Sequence, residues 1–410
     1  MTAAPDLALT ADNTNDTRAI ASVSAAHFVS HVYILLLPPL FEVIRADYQV
    51  SYTELGLALV AFNALTGFFQ TPAGFVVDRV GARIVLICGL LLGSAAVIVA
   101  GVVNSFWVFV AMFGLAGLGN AVYHPADYAL LSHRVGSERL GRAFSIHTFS
   151  GMLGGAVAPG LLLFLYGYVG WRGAFVATAM LGVAVAAALA LQRDAPMPRS
   201  HRDPVVDAGG GGDGQASLRL LLSPVILLNF IFFALFAFAN GGLQTYAVVA
   251  LSAAHDVPLA EGNIALSGYL LLNAGGVLLG GLLLGRASPV LVTVTSMLAF
   301  AILAAILGLF TLGTAATVIA MSLAGLASGM AMPSRDMMVR LVTPPGSFGK
   351  VFGFVTTGFS FAGVLVPLCF GPLMDNGHPV AVFVAVAAAS VVAVATVFSA
   401  RSSRTAAKPN

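Results

Sequence analysis

Charge is what this sequence has least of. Its 19 Lys and Arg and 17 Asp and Glu make up 9% of 410 residues, against about 25% in a soluble domain. That deficit excludes a water-facing surface over most of the chain. Cysteine is nearly absent. Cys88 and Cys369 both lie inside apolar runs. Two such residues build neither a disulfide framework nor a metal site, and packing is the role expected of them. Nucleotide and cofactor fingerprints are missing as well. The run Gly209–Gly212 follows no strand and precedes no Gly-Lys-Ser/Thr, which excludes a phosphate-cradling loop. No hydrolytic constellation and no metal-ligand spacing occurs, so no enzyme activity, no cofactor and no resident metal are expected. A net charge of +2 gives no sign of a nucleic-acid partner. Residues 1–17 are polar and lack a cleavable apolar core. No signal peptide is expected, and the first span is expected to act as its own targeting signal.

What is present is apolar length. Apolar residues make up 59% of the chain, and the mean hydropathy is +0.94. Long continuous runs, rather than short alternating ones, exclude a β-barrel. Twelve runs approach or exceed the ~20 residues a bilayer requires: 19–41, 53–77, 84–103, 106–132, 142–167, 172–192, 221–250, 263–285, 289–310, 314–341, 349–373 and 378–400. The expected fold class is therefore an all-α membrane protein with twelve transmembrane helices in the lipid bilayer. Gly170-Trp171-Arg172 separates the fifth and sixth spans, and its indole is expected at headgroup level. At 193–220 the composition changes. Arg193, Arg199, Arg202 and Arg219 alternate with Asp194, Asp203, Asp207 and Asp213, which reads as a flexible polar linker. It divides the chain into an N-terminal six-helix bundle (1–192) and a C-terminal one (221–410). With the N-terminus inside, inner loops and tails hold 16 of the 19 basic residues. The outer loops hold only Arg45 and Arg172, and Arg335 lies within a span. Basic residues mark the cytoplasmic side, so both termini and the linker are expected there, in a bacterial inner (plasma) membrane.

The two halves repeat. At an offset of 208, Gly117, Pro125, Gly141, Arg142, Phe144, Gly155, Pro159 and Phe175 fall on Gly325, Pro333, Gly349, Lys350, Phe352, Gly363, Pro367 and Phe383. At 207, Gly74 and Arg79 fall on Gly281 and Arg286, while Asp78 falls on Gly285. Shared glycines and prolines imply two pseudo-symmetric six-helix bundles.

The loop between spans two and three reads Gly74-Phe-Val-Val-Asp78-Arg79-Val-Gly81-Ala-Arg83. Gly74 is expected to let backbones approach closely, Gly81 to permit the tight turn, and Arg79 and Arg83 to stand ready as partners for Asp78. This G-x-x-x-D-R-x-G-x-R pattern resembles the signature loop of the major facilitator superfamily of transporters, and the resemblance extends over about 19–400. It implies alternating access of two bundles about a midplane solute site, driven by protons, with the loop as a gate element. Gly151–Gly160 is similar to the glycine/proline motif of the superfamily's proton-driven exporters, but has Ala158 where they place Gly before Pro. The fourth span also lacks their arginine. Gly119-Asn-Ala-Val-Tyr-His-Pro125 resembles the fosmidomycin-resistance type of exporter.

Ionisable groups inside membrane spans are costly and mark candidate sites. Asp127, Asp336, Arg335, His27, His31, His124 and His147 are the candidates here. His27 and His31 share one face of span one. They read either as a protonatable stripe or as histidines bonded to neighbouring groups. Asn120, Tyr123, His124 and Asp127 form one stripe of span four. Asp127 is either the proton carrier or a carboxylate locking spans four and five. Arg335, beside Asp336, falls on Asp127 at the 208 offset. It reads as a clamp for a carboxylate or phosphonate, or as a latch paired with Asp336. Asn63 and Gln70 in span two, Asn240 and Gln244 in span seven, and Tyr269 and Asn273 in span eight are further solute-binding candidates, with helix–helix hydrogen bonding as the alternative. The glycine pair Gly241-Gly242 is expected to loosen span seven. The expectation is a monomeric secondary transporter whose partners are a small solute and H+. Drug efflux, uptake of an organic anion or vitamin-like solute, and a non-transporting receptor are the rival readings.

Overall fold

The computed structural model describes residues 5–192, 219–284, 286–344 and 347–406. Positions 193–218 of the expected linker lie outside the described residues, as does Gly285, the counterpart of Asp78. The helices are α1 (Pro5–Ile34), α2 (Phe41–Tyr48), α3 (Tyr52–Val80), α4 (Ala82–Val102), α5 (Phe106–Asn120), α6 (Tyr123–Arg134), α7 (Ser137–Leu191), α8 (Pro224–His255), α9 (Leu259–Leu283), α10 (Pro289–Leu309), α11 (Thr314–Val342), α12 (Phe348–Asp375) and α13 (Pro379–Ala406). Among the described residues, eleven helical segments are long and apolar enough to cross a membrane.

One of the eleven, Arg142–Leu191, holds two spans. Its continuity breaks at Gly170, where φ is 67°, a value glycine adopts without strain. Contacts show that the chain reverses there. Before Gly170, α7 runs parallel to α1: Ser150 Oγ donates to Ser24 O at 2.8 Å, and Gly155 faces Leu35. After it, the direction is opposite. Tyr33 donates to Ala179 O at 3.1 Å, while Gln192 lies beside Ser22. The protein is thus an all-α, multi-pass membrane protein with twelve spans. Large apolar side chains such as Phe68, Leu282 and Ile302 stand exposed, as lipid-facing residues do.

The chain divides into two compact units, Met1–Gln192 and Arg193–Asn410. In the first, α5 packs on α3 through Gly117, where an added Cβ would lie 2.7 Å from Phe62 Cα. Thr66 Oγ1 donates to Gly117 O at 2.9 Å. In the second, α11 packs on α9 through Gly325, where an added Cβ would lie 2.8 Å from Tyr269 Cα. Asn273 Nδ2 donates to Gly325 O at 3.3 Å. The repeated glycines therefore do the same work twice.

Several sequence expectations need correction. Nothing lies within 4 Å of a Cβ built on Gly74, so no close approach occurs there. Gly81, with φ 101°, does make the tight turn. Trp171 is only 5% exposed. It packs against Tyr48, Phe109 and Phe175, with the Arg172 guanidinium 4.3 Å from its ring, so at the turn between the two spans the indole is held by other rings. Cys88 and Cys369 are exposed rather than packed, since a thiol is apolar enough to face lipid. At Gly241 and Gly242, α8 is continuous. A Cβ on Gly242 would strike Phe370 at 2.7 Å, so the glycine admits that ring.

Span four is not one regular helix. A turn at Ala121–Val122 separates α5 from α6. Pro125 explains it: proline has no N–H to return to Ala121 O. After α1, Pro38–Leu40 forms a short 3₁₀ turn before α2.

Candidate functional site

The break in span four places Tyr123, His124 and Asp127 together on α6, against α1 and α7. Asp127 and His147 are both fully buried. His147 Nε2 lies 3.8 Å from Asp127 Oδ2. Neither oxygen of Asp127 and neither ring nitrogen of His147 has a hydrogen-bond partner. The two imidazoles of His27 and His147 stack with centroids 3.9 Å apart. His27 Nδ1 is 3.0 Å from the backbone oxygen of His147. His31 Nε2 lies 3.2 Å from His27 Nε2, so the i, i+4 pair shares a face as the sequence implies. His124 is exposed. Its ring contacts His27 and Tyr128, and Tyr128 in turn meets His147 edge-on at 5.8 Å.

Glycine makes room for this cluster. A Cβ on Gly151 would stand 2.7 Å from His27 Cε1 and 2.9 Å from His31 Cδ2. His147 and Gly151 are one helical turn apart on α7, so ring and gap share a face. Tyr123 is buried with its hydroxyl unpartnered, and Asn120 is half-buried on the other side of the break.

No linear spacing announces that His27, His124 and His147 each offer a ligand atom within 4.8 Å of the others. The three come from three helices, so the absence of metal-ligand spacing in the sequence does not extend to the fold. The one sequence signal was that these polar groups all fall inside apolar spans.

The remaining candidates are elsewhere. Asn63 Nδ2 donates to Leu59 O of its own helix at 2.8 Å. In the C-terminal unit, Asn240 Oδ1 accepts from Tyr269 Oη at 2.6 Å and from Ser328 Oγ. Asn240 Nδ2 donates to Phe236 O, and Asn273 Nδ2 to Ser328 Oγ at 3.2 Å. These groups form one buried network joining α8, α9 and α11. Ser328, which sequence reasoning missed, is its hinge and follows Gly325 by about one turn. Gln244 is half-buried one turn beyond Asn240.

Arg335 is 6% exposed. Its Nε donates to Asp336 Oδ1 at 2.9 Å. Its guanidinium carbon lies 4.3, 4.7 and 5.0 Å from the rings of Phe233, Phe236 and Phe359. Nη1 is buried without a hydrogen-bond partner. The cage stabilises the cation while leaving one donor unspent.

In the loop between spans two and three, Asp78 and Arg79 are exposed. Arg83 binds the end of span six. Its Nε donates to Leu189 O at 3.1 Å, and its Nη2 donates to Leu189 O at 2.6 Å and to Gln192 O. A cation on the last carbonyls of a helix satisfies groups with no intrahelical partner.

A family model of the Major Facilitator Superfamily matches residues 23–256 and 230–410. An uncharacterized MFS-type transporter of Bacillus subtilis, YfnC, is 24% identical over 372 residues, 89% of this chain and 88% of that protein. A probable L-galactonate transporter of Escherichia coli is 30% identical over 143 residues, 35% of this chain and only 32% of that protein. The crystal structure of a bacterial homologue of the human lysosomal transporter Spinster, inward-facing and occupied, superposes with a TM-score of 0.75 at 16% identity. It covers 95% of this chain and 97% of its own. The nucleoside transporter NupG superposes at 0.76 and 15% identity, covering 93% and 99%.

Proposed function

The chain belongs to the Major Facilitator Superfamily, a membrane transporter and not an enzyme, and on that premise we propose a proton-coupled secondary transporter of a small organic anion working by alternating access. The observation that carries the coupling is the Asp127–His147 pair, fully buried and without hydrogen bonds to the carboxylate oxygens or ring nitrogens. With one shared proton the pair has no net charge, whichever residue holds it. Without that proton it carries one negative charge inside an apolar bundle, which costs at least ~2.5 kcal/mol on the insertion scale. Loading and release of the proton thus change the electrostatic energy of the N-terminal unit, as coupling requires. His31 and His27 lie beside the pair, hydrogen-bonded to each other and to the backbone of His147 rather than to its ring.

The anion class has separate support. Arg335 retains a buried, unspent donor, suited to a carboxylate. Two partial relatives, the L-galactonate transporter and a probable sulfoacetate transporter of Cupriavidus necator, are named for organic anions. Drug efflux is the second reading, favoured by a 29% match over 228 residues to a Bacillus subtilis multidrug efflux protein. We assign the protein to the inner membrane of a bacterium with cytoplasmic termini, from its 16 inner basic residues against two outer ones and the positive-inside rule.

The test uses proteoliposomes with labelled galactonate and sulfoacetate. A pH gradient of one unit should drive about tenfold accumulation per coupled proton. Asp127→Asn should abolish accumulation yet preserve counterflow. Accumulation that survives in Asp127→Asn removes this pair from coupling. Absence of counterflow for every organic anion, with exchange of amphipathic drugs, replaces the anion reading by efflux.

A further inference from the structure

The histidine cluster has a property that proton coupling does not need. His27 of α1, His124 of α6 and His147 of α7 each present a ligand atom within 4.8 Å of the other two. Asp127 brings an oxygen to within 3.8 Å of His147 Nε2. The rings are also prepared as ligands. His27 Nδ1 faces the backbone oxygen of His147 at 3.0 Å. A carbonyl only accepts, so Nδ1 carries the hydrogen, and in the neutral ring Nε2 keeps its lone pair. A backbone carbonyl holding the far nitrogen is the usual way a metal-binding histidine is oriented. His147 is fully buried with both nitrogens unpartnered. His124 is exposed and gives an ion a way in. Gly151 lets the rings of His27 and His31 pack against bare backbone, where a Cβ would strike them.

We propose that His27, His124 and His147, with Asp127 as fourth ligand, bind a divalent transition-metal ion of the zinc, cobalt and nickel class in the N-terminal unit. Three imidazoles and one carboxylate suit these ions, whereas magnesium and calcium take oxygen ligands. Metal–nitrogen bonds of about 2.0–2.1 Å require the ring nitrogens to draw in by roughly 1 Å, and the stacked rings of His27 and His147 to turn out of parallel so that both lone pairs meet at the ion. The carboxylate offsets one of the ion's two charges. His31 Nε2, now 3.2 Å from His27 Nε2, must give up that contact. The metal site rests on ligand geometry and stands whether or not the same residues couple protons.

The test is titration of Co2+ into the purified full-length protein, freed of any polyhistidine tag and followed by visible absorption. A saturable 1:1 band of tetrahedral intensity, displaced by Zn2+, is expected. His124→Gln should weaken binding at least tenfold. This residue is exposed, so its loss leaves the bundle core intact, and a monodisperse elution profile checks that. His133→Gln, an exposed histidine outside the cluster, should bind as the parent does. Asp127→Asn should retain weakened Co2+ binding even where it abolishes proton-driven accumulation, which separates this proposal from the coupling reading. No saturable band, or an affinity unchanged in His124→Gln, overturns the site.

Discussion

Replacing Gly117 or Gly325 by alanine should destabilise one unit each by the same mechanism. A Cβ at Gly117 would stand 2.7 Å from Phe62 Cα, and one at Gly325 would stand 2.7 Å from the carbonyl carbon of Tyr269. The carbonyl oxygens of Phe62 and Tyr269 lie nearer still, and ordinary contact begins near 3.4 Å, so each helix pair must part by more than about 0.7 Å. The hydrogen bond from Thr66 to Gly117 O, now 2.9 Å, then stretches beyond about 3.6 Å, where it no longer counts as a bond. Overpacking of this kind costs about 1–3 kcal/mol, and the lost bond adds about 0.6 kcal/mol in a membrane. Helix propensity returns at most about 1 kcal/mol. Gly74 and Gly281 are the controls, because nothing lies within 4 Å of a Cβ on either. Thermal unfolding of the detergent-solubilised variants should show Gly117→Ala and Gly325→Ala several degrees below the parent, with Gly74→Ala and Gly281→Ala level with it or above. Equal melting temperatures for Gly117→Ala and Gly74→Ala would refute the packing argument.

Three further outcomes are expected. Arg83→Gln should release the carbonyls at Leu189 and Gln192 and cost about 1 kcal/mol locally. Hydrogen exchange over 185–192 should quicken, and unchanged exchange would show that the cap carries no weight. Arg335→Gln should weaken anionic solutes more than neutral ones, by about tenfold for one charge-assisted bond. Equal losses would leave Arg335 as a latch held by Asp336 and its three phenylalanines. Asp78→Asn should slow solute counterflow if the loop gates the inner face, and an unaltered rate would count against that role.

Much of the fold was legible in one dimension because the bilayer imposes it. A membrane demands ~20 apolar residues per span, and its charge asymmetry sorts the loops. The twelve runs, the turn at Gly170 and the repeated Gly117 and Gly325 could therefore be read from letters and spacing. Gly81 was readable for a local reason, since a turn that tight needs its positive φ. The facing of each helix was not readable. Lipid is as apolar as a helix interface, so Phe68 at 73% exposure and Phe109 at 0% look alike in sequence. Cys88 and Cys369, expected to pack, are exposed for that reason.

What only the tertiary structure decided is which polar groups meet. Asn240 and Asn273 were visible as polar residues in apolar spans, but their common partner Ser328 depends on the register between α8, α9 and α11. Arg335 was visible as a charge, while its cage of phenylalanines draws on α8 and α12. His27, His124, Asp127 and His147 come from three helices separated by up to 120 positions. Their convergence requires the break before Pro125 and the bare backbone at Gly151. The sequence by itself determined that costly groups lie within the membrane. Helix rotation and close approach, set by packing across the bundle, determined that four of them share one site.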